Sequence, residues 1–282
     1  MGLIDYFKPV ATWSTDQVRA FLEQHTDDSY NLVDVRQPRE YERGHLPGAQ
    51  LIPVKALPER LGELDPAKPT ITYCAAGVRS RAAASVLNNA GFDEVYSMSG
   101  GINAWQGLVA EGELQMNAWF SPAANAGEYL ALAWLLEDGT RQLYAELAMR
   151  HQTNVEGDFF RRLVGAEEAH KEALHKLYHG LSTSSADDDF PAGLLPEPAG
   201  ETMLEGGLSL ANALQWLAGK SAERALELAL SLEINAYDRY LIMSRDAADD
   251  ESRDGFAHLA REEKAHLGLI SDQLDRWLAK QA

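Results

Sequence analysis

Apolar residues follow two different rhythms along this 282-residue chain. Up to about residue 106 they come in short runs. Asn31-Leu32-Val33-Asp34-Val35, Thr70-Ile71-Thr72-Tyr73 and Glu94-Val95-Tyr96-Ser97 read as buried strands, with Ala49-Gln50-Leu51-Ile52 as a weaker fourth. Helical stretches lie near 14–25 and 79–90, the first opening on Ser14 as an N-cap and the second ending before Gly91. Strands alternating with helices predict an α/β domain with a largely parallel sheet and flanking helices.

From about residue 122 the pattern predicts long helices near 122–152, 155–179, 209–247 and 252–280, the elements of an all-α four-helix bundle. Ser121-Pro122 is the start signal, an N-cap followed by proline at the first helical position. Residues 180–208, with Gly180, Ser182, Ser184, Ser185, Asp187, Asp188, Asp189, Pro191, Pro196 and Pro198, read as a crossover rather than a further packed element. Domains are expected at 1–107 and 122–282, with 108–121 as linker.

The helical half repeats itself at an offset of ninety-six residues. Glu137 and Glu233 each precede a tyrosine by seven residues, Tyr144 and Tyr240. Thirty residues after each first Glu comes Glu-x-x-His: Glu167 with His170, and Glu263 with His266. Leu130/Leu226, Ala133/Ala229, Phe160/Phe256 and Leu163/Leu259 match at the same offset. Leu130, Ala133, Glu137, Tyr144 and Ala148 lie within about 60° of one another on a helical wheel, so the carboxylate shares the packing stripe. A duplicated helical hairpin would gather four carboxylates and two imidazoles in one core, a set that binds two metal ions. Buried unpaired carboxylates are costly, and two divalent ions balance four of them in charge. So carboxylate-rich a set favours iron or manganese over zinc or copper. Tyr144 and Tyr240 are either hydrogen-bond partners to the ligands or core fillers with satisfied hydroxyls. Glu42-x-x-His45 and Glu172-x-x-His175 show that the spacing alone says little, and Glu172 points about 140° from Glu167 on its helix.

A net charge of −18 argues against nucleic acid and anionic membranes as partners. No run of about 18 apolar residues is present to span a bilayer. The opening residues lack a secretion-signal layout, and Tyr6 stands where a myristoylation start needs Ser or Thr. One cysteine excludes an internal disulfide and any four-cysteine metal site, so a reducing cytoplasm is the expected compartment.

That cysteine sits in Cys74-Ala75-Ala76-Gly77-Val78-Arg79-Ser80, after the strand ending at Tyr73 and before a helix expected from Arg81. A strand–loop–helix turn aims backbone N–H groups and the positive end of a helix at the loop centre. A thiolate there is stabilised and nucleophilic. Gly77 permits the tight path, and Arg79 can hold an anionic substrate or leaving group.

Residues 10–107 resemble the rhodanese homology domain, on Asp34-Val35-Arg36, Glu40, Gly44-His45-Leu46-Pro47-Gly48-Ala49, the Cys74–Ser80 loop and Gly100-Gly101-Ile102-Asn103-Ala104-Trp105. The resemblance implies that Cys74 takes a sulfane sulfur from a small donor as a persulfide and passes it to a thiol or cyanide. Ala75, Ala76, Gly77, Val78, Arg79 and Ser80 would form the anion loop. Its six-residue length from Cys74 to Arg79 is the size associated with sulfur substrates. Asp34, Arg36, Glu40 and His45 read as ion pairs and loop anchors.

Residues 122–280 resemble the ferritin-like superfamily and its rubrerythrin group. This implies a di-iron four-helix bundle, often dimeric, that reduces peroxide or oxidises iron. Glu137 and Glu233 would then be single-Glu ligands, and Glu167/His170 and Glu263/His266 the paired ones. A cysteine-built iron site like that of rubrerythrins is excluded here. The combined expectation is a sulfurtransferase fused to a di-iron carboxylate domain and dimeric through its helices. The alternatives are an iron-binding or redox- or sulfide-sensing protein with little turnover, and a bundle serving only as a dimerisation scaffold.

Overall fold

Short buried strands, each followed by a helical turn, build the first of two units, Met1–Leu114 and Gln115–Ala282. The computed structural model describes residues 10–111, 126–152, 155–181, 190–191, 193–194 and 201–279. Strands β1 (Ala11–Trp13), β2 (Asn31–Asp34), β3 (Gln50–Leu51), β4 (Thr70–Tyr73) and β5 (Val95–Met98) form one sheet in the order β1-β5-β4-β2-β3. Every pairing is parallel. Helices α1 (Thr15–Gln24), α2 (Pro38–Glu42) and α3 (Val78–Asn89) connect them. Ser14 caps α1 as expected: its hydroxyl accepts from Gln17 N–H, and the Gln17 side chain accepts from Ser14 N–H.

Alternating side chains of the strands feed two cores. Val33, Ile52 and Val95 join Ala83, Ala84 and Leu87 in one, while Leu32, Ile71, Tyr73 and Met98 join Val18, Tyr41 and Leu46 in the other. A parallel sheet covered in this way places the carboxyl ends of its strands at one edge, and Cys74 follows directly on β4 there. Residue 110 still belongs with this unit, since Ala110 and His45 exchange backbone hydrogen bonds of 2.9 Å.

The second unit is largely helical: α4 (Ala126–Arg150), α5 (Val155–Leu181), α6 (Leu210–Trp216), α7 (Ala222–Asp246) and α8 (Asp250–Ala279). Helix α4 packs on α5 and α7 on α8, and α5 meets α8. The single helix expected over 209–247 is interrupted. Gly219 adopts φ +72° between α6 and α7, a left-handed conformation that ends one helix before Ser221 begins the next. The expected start at Ser121-Pro122 lies outside the described residues.

The crossover also differs from expectation, because its last part does pack. Leu204 is fully buried and a 3₁₀ turn spans Glu205–Gly207. Gly139 of α4 makes room: a Cβ there would come within 2.0 Å of the Met203 carbonyl oxygen. No helix among the described residues is long and apolar enough to cross a membrane.

Beside a small cluster of Ala131, Leu132 and Leu136, this unit has two larger apolar cores, and the ninety-six-residue offset maps one onto the other. Tyr144, Phe160 and Leu163 from the first hairpin meet Leu226 and Ala229 from the second. Tyr240, Phe256 and Leu259 from the second meet Leu130 and Ala133 from the first. Helices α4 and α7 therefore run antiparallel, related by an internal twofold, with the Glu137 and Glu233 level between the cores.

Candidate functional site

Helix α3 begins at Val78, within one residue of the stretch expected over 79–90 and ahead of Arg81, so Val78, Arg79 and Ser80 form its first turn. The unpaired N–H groups of that turn face the loop and hold partial positive charge there. Gly77 caps the helix at φ +92°, and its N–H donates to Cys74 Sγ at 3.1 Å. Burial raises the Cys74 pKa, but contacts from the Ser80 and Ala76 N–H groups, the Ser80 hydroxyl and the Gly77 N–H outweigh it. The thiol is left more acidic than usual.

A second strand of backbone braces the loop from behind. Ile102 N–H donates to the Cys74 carbonyl at 2.8 Å, and Asn103 N–H to that of Ala75 at 3.1 Å. Gly101 permits this approach: a Cβ there would sit 2.2 Å from the Cys74 carbonyl oxygen. Thr72 Oγ1 donates to the Ser80 carbonyl, and Ser80 and Ser97 hydroxyls pair at 2.9 Å. Val78 is the outlier of the loop, an apolar side chain 79% exposed.

Arg79 is not a free anion clamp. Its guanidinium forks onto Glu40 at 2.8 and 2.7 Å, a bidentate pair linking α3 to α2. Hydrogen bonding from Arg79 pulls the Glu40 carboxyl down to about 2. Asp34, Arg36 and His45 anchor neighbouring turns. Arg36 forks onto Asp34 and reaches the Gly44 carbonyl at 2.7 Å, while His45 Nδ1 lies 2.9 Å from the Tyr41 carbonyl.

Reactivity of Cys74 gives a direct reading of this loop. Only the thiolate is alkylated, so its rate against pH should reach half-maximum below the ordinary thiol range. In Ser80→Ala the hydroxyl contact goes while the N–H contacts stay, and the midpoint moves up. An iodoacetamide rate profile with the same midpoint in both proteins would show that the hydroxyl plays no part.

In the second unit Glu137, Glu167, His170, Glu233, Glu263 and His266 all converge. Glu137, Glu167, His170 and Glu263 each offer a donor atom within 4.8 Å of the others, as do Glu233, Glu263 and His266, and Glu167, His170 and His266. His170 Nδ1 lies 2.9 Å from Glu263, 3.4 Å from Glu137 and 3.5 Å from Glu167. His266 Nδ1 lies 3.4 Å from Glu233 and 3.6 Å from Glu263. The two imidazole centroids are 5.1 Å apart. Both tyrosines act across the internal twofold: Tyr144 donates to Glu233, and Tyr240 to Glu137.

So many carboxylates in one apolar core disturb one another. Burial, then the charges of Glu233 and Glu137, push Glu167 well above the usual carboxylate range. Burial and Glu263 push Glu233 up to about 8. Burial lowers the His266 pKa, yet Glu233 and Glu263 outweigh it and raise it to about 10. Even so, Glu167 Oε1, both Glu263 oxygens and His266 Nδ1 are buried without a well-aligned hydrogen bond among the described residues, close as the imidazoles and carboxylates lie. Orphaned oxygens and an orphaned imidazole nitrogen at ligand spacing fit divalent cations.

Two further charged residues escaped sequence reasoning. Glu205, on the packed end of the crossover, is buried against Arg239 of α7. Burial raises Glu205 to about 8, and Arg239 offsets only part of this. Position 239 minus ninety-six is Leu143, so the pair breaks the internal symmetry and leaves no trace in the repeat. Its one sequence signal is an Arg among core-facing residues of α7.

Residues 14–108 match the rhodanese-like domain model. Over 90 residues the chain is 36% identical to the thiosulfate sulfurtransferase GlpE of Pseudoalteromonas translucida (strain TAC 125), spanning 32% of this chain and 86% of that protein. It is 42% identical over 78 residues to the uncharacterized protein YqhL of Bacillus subtilis (strain 168), covering 28% of this chain and 62% of that protein's length. A solved rhodanese-like domain protein from Staphylococcus aureus is 29% identical, with 34% of this chain and 91% of that one covered and a TM-score of 0.32. The family match and the 36% identical relative lie in the unit that carries the Cys74 loop, and through it the chain belongs to the rhodanese-like family.

Proposed function

We propose that the first unit is a sulfurtransferase carrying sulfane sulfur on Cys74 as a persulfide. One observation carries this reading: the Cys74 sulfur accepts a backbone N–H at the start of α3 and is more acidic than an ordinary thiol. With thiosulfate as donor, the thiolate attacks the outer sulfur, the S–S bond of thiosulfate breaks, and sulfite leaves with the electron pair. Cyanide or a thiolate then attacks the outer sulfur of the persulfide, and Cys74 departs as thiolate. No external oxidant or reductant enters. The N–H groups of residues 75–80 face the anionic donor and the persulfide in turn. Arg79, held by Glu40, adds a fixed positive field beside them. Sulfur transfer by the 36% identical relative named as a thiosulfate sulfurtransferase supports the same chemistry here. Mass spectrometry tests it: thiosulfate given without an acceptor should add one sulfur atom to the Cys74 peptide, and cyanide should remove it. An unmodified peptide overturns the reading.

For the second unit the proposal is a ferritin-like four-helix bundle holding two iron or manganese ions. Glu137, Glu167, His170 and Glu263 would hold one, and Glu233, Glu263 and His266 the other, with Glu167 in reach of both imidazoles. A pair of iron ions supplies two electrons together to dioxygen or peroxide. What the chain itself contributes is positioning. Tyr144 and Tyr240 each fix the single Glu of the opposite hairpin, and the two flanking cores keep water from the carboxylates.

A further inference from the structure

Helix α5 carries Glu-x-x-His twice, five residues apart, so the copies point about 140° from each other. Glu167 and His170 face the carboxylate core. Glu172 and His175 face outward, and His179 stands one turn beyond His175 on the same stripe, all three within about 60°. His175 and His179 are exposed. Their rings meet nearly at right angles, with Nε2 atoms 3.0 Å apart. At that separation one ring donates its Nε2–H to the other, and a metal ion that displaces this shared proton would meet both nitrogens. Phe190 packs beside His175 at 5.4 Å and stacks on Tyr178 at 4.5 Å, limiting the swing of the His175 ring.

We propose that His175 and His179 form a second metal site, on the surface of α5, for a late divalent transition ion. The chemistry selects the class: two imidazoles with an optional carboxylate suit nickel, copper or zinc and not calcium or magnesium. The geometry narrows it. With metal–nitrogen bonds of about 2.0–2.1 Å, a 3.0 Å separation of the nitrogens subtends roughly 90–100° at the metal. That is the angle between neighbouring ligands in square-planar or octahedral coordination, the preference of nickel(II) and copper(II). Water completes the set. The ion remains open to exchange, unlike anything held in the core.

Calorimetric titration of the full, tag-free protein with nickel(II) tests this. The wild type should take up one equivalent more than His175→Ala or His179→Ala. Either substitution should weaken that equivalent by at least about tenfold, the loss that even an indirect partner of a ligand produces. Both rings lie outside the apolar cores, and matched circular-dichroism melting curves establish that the variants fold. The double variant Glu137→Gln/Glu233→Gln keeps the surface equivalent whether or not the core takes nickel, so this site stands or falls apart from the dinuclear centre. Equal stoichiometry and affinity in the wild type and both histidine variants overturn it.

Discussion

Cys74→Ser should remove thiosulfate:cyanide turnover, lowering kcat/KM by on the order of 10³-fold or more, as deletion of a covalent nucleophile does. The loss would be chemical and not structural. Serine is slightly smaller, and its oxygen can accept the Gly77 N–H that now meets Cys74 Sγ at 3.1 Å. What it cannot do is ionise under the partial charge that suffices for a thiol, or form a bond to sulfur from which it later leaves easily. The melting temperature should change little while the rate collapses. Turnover retained in Cys74→Ser would move the chemistry elsewhere and leave the loop without a role. Arg79 makes a useful contrast. Because Glu40 already engages both ends of its guanidinium, its contribution is to shape and field, so Cys74 carries by far the greater share of the rate.

Much of this molecule was readable from the chain, for identifiable reasons. β2 and β4 announced themselves because both faces are covered, so Leu32-Val33 and the β-branched and aromatic run Thr70–Tyr73 are buried on successive residues. β1 escaped: three residues at the sheet edge, mostly exposed, carry no such demand. α2 is five residues long, too short for any period to show. In the helical half a repeat supplied what composition cannot. Matching offsets bring Glu137, Glu167, Glu233 and Glu263 to one level between two related cores, and chance rarely aligns so many positions. Features that belong to one copy only, such as Glu205 with Arg239, lie beyond the reach of that comparison. The Arg79–Glu40 pair was hidden for another reason. Thirty-nine residues separate its partners, and only the folded sheet brings α2 beside α3.

The metal-free protein should unfold at a lower temperature than the same protein with iron(II) or manganese(II), and the gap should narrow in Glu167→Gln, which loses the site that Glu167 shares with Glu137, His170 and Glu263. A ligand bound only by the folded state stabilises it, by about 2.7 kcal/mol per site when free metal is 100-fold above Kd. Two such sites in a unit of this size raise the melting temperature by on the order of 10–20 °C. Glu167 is the informative position because burial and the charges of Glu233 and Glu137 already hold its carboxyl well above the usual range. Without metal that shift favours the neutral acid, and a glutamine of the same shape replaces it with little loss. The apo midpoint should therefore stay level or rise in Glu167→Gln, while the share of the metal-induced shift that this site supplies disappears with the ligand oxygen. A general packing defect would lower both. If neither ion moves the wild-type midpoint in anaerobic calorimetry, the four acidic side chains hold no cation of this class, and the helical unit is a scaffold stabilised by shared protons.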